Sequence, residues 1–222
     1  MWQALYNDLR GENFMIVAVA MDSRPEAPRP WIEQAQPDYL CLIDQDHLLS
    51  DLYNMVNVPQ AVWIDEAGRI VRPTEIAGAY EAFRSRDLQT GEIPPEENAR
   101  KVQAQANYVE AVRDWVRKGA DSVHAFSPEQ ARAHVPLPSE DVMQAHVAFR
   151  LGQALLRRER SAEAEALFEE AKQRHPESWN IWRQCYPPNE AGLAAGPEFW
   201  ERVQSLGDKR YYPLPDMAGM PK

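Results

Sequence analysis

Apolar residues change their period several times along this chain. Leu5, Tyr6 and Leu9 recur at helical spacing, and Gly11 follows as a natural stop, so a helix is predicted over residues 2–10. From Met15 to Ala20 the chain is continuously apolar and partly β-branched. That pattern predicts a strand covered on both faces, as in a parallel α/β sheet. A proline-rich loop over 22–30 leads to a short predicted helix over 31–35 and a short buried strand from Tyr39 to Ile43. Residues 47–55 read as a helix with Leu48, Leu49, Leu52 and Tyr53 on one side. Two apolar runs, Ala61 to Ile64 and Arg69 to Val71, then flank a polar turn. They predict a β-hairpin with a positive φ at Gly68. Residues 74–97 are irregular. A long amphipathic helix is expected from Glu97 to Lys118, with Val102, Ala106, Val109, Val112 and Val116 on one face.

The remainder reads as helical. Ser127, Pro128 and Gln130 form a capping signal: a hydroxyl at the N-cap, proline at the first helical position and Gln three residues on. Further along, Leu151, Gly152, Leu155, Ala164, Phe168, Ala171 and Pro176 fall at the offsets of a tetratricopeptide repeat, which this region resembles. The resemblance implies a helical hairpin from about His146 to Ser178. Small residues at 152, 164 and 171 would let the helices approach, and Phe168 would fill the gap. Leu151, Leu155, Phe168 and Ala171 are expected to share one buried interface. Trp182 follows at the spacing of a next repeat's opening aromatic, but no second full match follows.

Composition narrows the function classes. With 222 residues, 44% hydrophobic and 7 Trp, the chain can bury a core. A net charge of −10 disfavours nucleic-acid backbones and anionic membrane surfaces, and no basic run offsets it. No apolar stretch approaches the ~18–20 residues that cross a bilayer. No secretory leader is recognised, so a cytoplasmic location is expected of the chain as it stands. Cys41 and Cys185 belong to no C-x-x-C and no zinc spacing. The five histidines show neither metal-type pairing nor clustering with cysteine. No metal site and no cofactor are expected. Cys41, between Leu40 and Leu42, reads as an inert buried thiol.

The order of elements over residues 14–78 carries a second resemblance. A strand from Phe14 to Asp22 is followed by a pre-proline loop, a strand, a turn and a strand from Val56 to Val71. This stretch resembles the ResA/TlpA-like branch of thioredoxin-fold oxidoreductases, close to the redoxin and AhpC-TSA-type peroxide-reducing proteins. The resemblance implies thiol- or selenol-based chemistry on a protein disulfide or a peroxide. It also implies that Val58 and Pro59 form the cis-proline loop that holds substrate beside the reactive atom. The plainer reading is that Pro59 begins an edge strand. The family carries a reactive cysteine, or a selenocysteine, at the start of the helix that here is residues 2–10. It also has a central strand leading into that helix. Neither is found in this sequence, so no catalytic residue is assigned within it. Without that strand, the strands at 14–20 and 61–64 would present unpaired edges. Three explanations stand open: an N-terminally truncated sequence, a missing strand supplied by a partner or by repacking, or a different family. One route to truncation is a selenocysteine codon read as a stop.

The expected fold is therefore an incomplete α/β thioredoxin-like domain followed by an all-α tetratricopeptide-like region. The predicted division is 1–82 partial thioredoxin-like domain, 83–126 linker and amphipathic helix, 127–205 helical region, and 206–222 irregular tail. The implied function is that of a bacterial-type antioxidant or disulfide oxidoreductase, inactive without its reactive motif. The alternative is a redox-inactive scaffold whose helical region binds a protein partner.

Overall fold

A computed structural model describes residues 1–221 except Leu88, Pro136, Pro187, Glu190 and Ala191. In chain order the elements are α1 (Trp2–Leu9), β1 (Val17–Met21), α2 (Arg29–Ala35), β2 (Leu40–Asp44), α3 (Leu48–Leu52), β3 (Gln60–Ile64), β4 (Ile70–Ile76), a 3-10 turn (Ala82–Ser85), α4 (Pro95–Lys118), a second 3-10 turn (Gly119–Asp121), α5 (Pro128–Ala133), α6 (Glu140–Leu156), α7 (Ser161–Arg174), α8 (Trp179–Gln184) and α9 (Pro197–Ser205). The chain is mixed α/β, and its C-terminal half is helical. Among the described residues the strands form two two-stranded sheets, and the chain divides into two compact units that interleave along the sequence.

The first unit holds Met1–Met15, Pro59–Val135 and Pro197–Lys222. Its sheet is the expected hairpin. β3 and β4 run antiparallel, and Asp65 and Gly68 close the turn, with the Gly68 N–H donating to the Asp65 carbonyl at 2.9 Å. Gly68 has φ +75, the conformation that the turn requires. The core gathers Leu5 and Leu9 of α1, Trp63 of β3 and Tyr108, Ala111 and Val112 of α4. The Trp63 indole N–H donates to the Tyr108 hydroxyl at 2.9 Å. Val102, expected on the inward face of α4, is 56% exposed; Ala104 and Tyr108 are buried instead.

A charged group sits inside this unit. Arg72 on β4 is almost fully buried. Its Nε donates to Glu75 Oε1 at 2.6 Å and its Nη2 to Glu75 Oε2 at 3.0 Å. The same guanidinium donates to the carbonyls of His124 and Asp216. It lies 4.3 Å from the centroid of the Phe126 ring. Four guanidinium hydrogen bonds are thus spread over a carboxylate and two backbone oxygens, which is how a buried cation is kept satisfied. The α5 cap is the predicted box: Ser127 accepts from the Gln130 N–H, and the Gln130 side chain accepts from the Ser127 N–H.

The second unit holds Ile16–Val58 and Pro136–Gly196. β1 and β2 pair in parallel, Val17 opposite Leu40 and Ala20 opposite Ile43. The expectation that these strands are covered on both faces does not hold. No residue of either is buried, and Val17, Leu40 and Leu42 are about half exposed. Leu48 and Leu52 of α3 are also exposed, and the buried residues there are His47 and Ser50.

The helical hairpin of α6 and α7 has its own core of Ala145, Phe149 and Ala171, with Phe168 packed against it. A Cβ built on Gly152 would lie 2.7 Å from Phe168 Cε1 and 3.2 Å from the Ala164 carbonyl, so this is where the helices come closest. Two expected members, Leu151 and Leu155, are absent from that core, and Leu155 is only partly buried. Leu151 is half exposed, because α6 turns its 145, 149 and 152 positions inward and carries 151 to the outside.

Candidate functional site

Val58 and Pro59 lie immediately before β3, both exposed. The Val58 N–H donates to Asn57 Oδ1 at 2.9 Å, and the Pro59 carbonyl accepts from the Ala77 N–H at 3.1 Å. Asn57 itself is buried.

The two thiols are poor nucleophiles. Cys41 lies in β2, half-buried, and burial raises its pKa. Cys185 follows α8, where burial first, and then the Glu169 carboxylate, push its thiol up to about 12 against the opposing pull of Lys172. Neither sits at a helix N-terminus, where amide groups would stabilise a thiolate. Cys41 was expected to be buried and is only half-buried.

A polar cluster absent from the sequence reading gathers at the C-terminal ends of β1 and β2, where loops of a parallel sheet collect. Asp22 and Ser23 follow β1; Asp44 ends β2, and His47 comes three residues later, directly after Asp46. Asp44 Oδ2 accepts from the Leu49 N–H at 2.7 Å and so caps α3. Ser23 is held twice. Its N–H donates to Gln184 Oε1 at 3.0 Å, and its hydroxyl oxygen accepts from Gln153 Nε2. His47 Nε2 lies 3.4 Å from the Ser23 oxygen, and the ring stands edge-on to Phe149 at 5.2 Å. Burial pushes the His47 pKa below the ordinary imidazole value, outweighing the opposite influence of Asp44, Asp22, Gln184 and Asp46. His47 is therefore neutral near pH 7.

A neutral imidazole beside a hydroxyl is a proton acceptor facing a proton donor. A hydrolytic triad also needs a group on the second ring nitrogen to fix the tautomer. Among the described residues His47 Nδ1 has no such partner, and Gln153 Oε1 is likewise buried without one. The network therefore acts first as a clasp that ties the loop after β1 to α6 and α8. The sequence signal for it is slight: a polar pair directly after each of two apolar runs.

In the first unit a cleft of about 440 Å³ is lined by Glu110, Arg113, Asp114, Lys118 and His124 among others. Its cations are already matched: Arg113 to Asp8 and Glu110, and Lys118 to Asp114. Among the described residues, no group of three or more His, Cys, Asp or Glu is placed to hold a metal ion, and no helix is long and apolar enough to cross a membrane. Compared with protein-family models, curated proteins and solved structures, the chain finds no match in any of the three.

Proposed function

We propose that this chain is part of a thiol- or selenol-dependent redox protein of the ResA/TlpA-like thioredoxin type, with its reactive residue supplied from outside residues 1–222. The observation that carries the reading is how the strands are left. Among the described residues β1 pairs only with β2, β3 pairs only with β4, and no residue of β1 or β2 is buried. Parallel strands are ordinarily paired and covered. An exposed apolar pair with free edges fits a sheet that lacks a neighbouring strand. In this reading Val58 and Pro59 present backbone to a disulfide or peroxide substrate beside the absent thiol or selenol. The test is to express the reading frame together with the codons preceding Met1 and to measure insulin-disulfide and peroxide reduction. Turnover that depends on a Cys or selenocysteine in the added segment supports the reading. An extended chain without turnover contradicts it.

A second reading is a redox-inactive scaffold whose helical hairpin binds a protein. It is favoured by the thiols of this chain, both of which burial holds in the protonated form. Disulfide turnover by residues 1–222 themselves would contradict it.

A further inference from the structure

Met143, Val147 and Leu151 occur every four residues along α6 and are 51%, 68% and 50% exposed. Four-residue spacing places them in one row on the helix. The opposite face, with Ala145, His146, Phe149 and Gly152, is buried in the hairpin. The row is therefore an apolar seam on the outside of a helix whose inner contacts are already made.

The ends of the seam carry opposite charge. Glu140, in the first turn of α6, precedes Met143 by three residues, and Arg158 lies seven residues beyond Leu151. Both are exposed. Among the described residues neither has an ionic partner: Glu140 accepts only from the Gln144 side chain, and Arg158 donates to the Ala154 carbonyl. Neighbouring arginines differ in this respect, since Arg150 pairs with Asp51 and Arg157 with Asp46.

We propose that this face of α6 docks on the same face of a second copy of the chain, antiparallel, about a two-fold axis at Val147. The seam is self-complementary about that residue. Met143 of one copy meets Leu151 of the other, and Val147 meets Val147. Glu140 falls beside Ala154 of the second copy, four residues before its Arg158 in the turn that follows α6. An isologous contact makes each pairing twice. A parallel arrangement would instead set like charges together at both ends. One pair of helices each about 25 Å long is a small interface of the weakly associating class. The inference rests on the second reading above, in which the helical hairpin is an interaction module, and narrows its partner to the chain itself.

Sedimentation equilibrium over a concentration series tests it. The wild-type chain is expected to approach twice its 25.4 kDa mass as concentration rises. Val147→Glu, at a position already facing water, is expected to weaken association about tenfold or more. Glu140→Arg and Arg158→Glu should each weaken it, and the double exchange should restore it. Far-UV circular dichroism on each variant verifies that the helices remain. A wild-type chain that stays monomeric, a dimer indifferent to Val147→Glu, or a double exchange that restores nothing overturns the proposal. The scaffold reading fails separately, by disulfide turnover. A monomeric chain without turnover therefore overturns self-association alone.

Discussion

Gly152 and Phe168 meet where α6 and α7 come closest: a methyl group on Gly152 would sit 2.7 Å from the phenyl ring. The contact makes the hairpin sensitive at both residues. Gly152→Ala should cost about 1–3 kcal/mol by overpacking. Phe168→Ala should cost about 2–4 kcal/mol, below the full range for a buried aromatic because the ring is half-buried. Glu169→Ala, on the exposed side beside Lys172, should change stability by only a few tenths of a kcal/mol. Urea unfolding followed by circular dichroism checks all three. Equal effects at 168 and 169 would contradict the packing.

Arg72 and Glu75 predict a second asymmetry. Removing the cation leaves a half-buried carboxylate beside an aromatic core, so Arg72→Met should destabilise the chain by about 3–5 kcal/mol. Adding Glu75→Leu removes the stranded charge and should recover much of that loss. A double variant no more stable than Arg72→Met alone would contradict this account of the pair.

Acid should weaken the second unit before the carboxylates titrate. Burial lowers the pKa of His47, His146 and His175, and the rings of the last two lie 5.8 Å apart. Below the unfolded value of about 6.5 the unfolded chain binds protons that these residues resist, so stability falls as pH falls through that region. His134 acts oppositely. The Gln130 carbonyl first, and then Asp216, raise its pKa, so its contribution is full below about 6.5 and is lost as pH rises through its folded value. Urea titrations of the wild type and His175→Gln at several pH values check the sign. The variant should lose part of the acid sensitivity, and an unchanged pH dependence would contradict the assignment.

Much of the local structure is legible in the sequence because it rests on near neighbours. The Asp65–Gly68 turn, the Ser127–Gln130 box and the Gly152–Phe168 approach depend on residue types at fixed short offsets. What escapes the sequence is non-local. Apolarity in β1 announces a strand, but not whether another strand will cover it. Alanine is too weakly apolar to mark the inward face of α4, so Val102 misled and Ala104 stayed silent. Arg72 reads as a surface residue until β4, Phe126 and the segment at Asp216 enclose it. Ser23, His47 and Gln153 meet across 24 and 130 positions, beyond the reach of any spacing rule.

The thiols should behave as their surroundings dictate. Cys41, half-exposed, should react with an alkylating agent before Cys185, whose thiol burial holds far above neutrality. Residues 1–222 should not reduce insulin. Peptide mapping after timed alkylation reads the order, and faster modification of Cys185 would contradict it.

The most direct measurement for the redox reading is the nucleotide sequence preceding the Met1 codon. An open frame is expected there, encoding a further strand followed by a Cys-x-x-Cys-type motif or one with UGA at the reactive position. An in-frame stop close to Met1, with no such motif before it, would contradict the proposed redox function and leave the scaffold reading in its place.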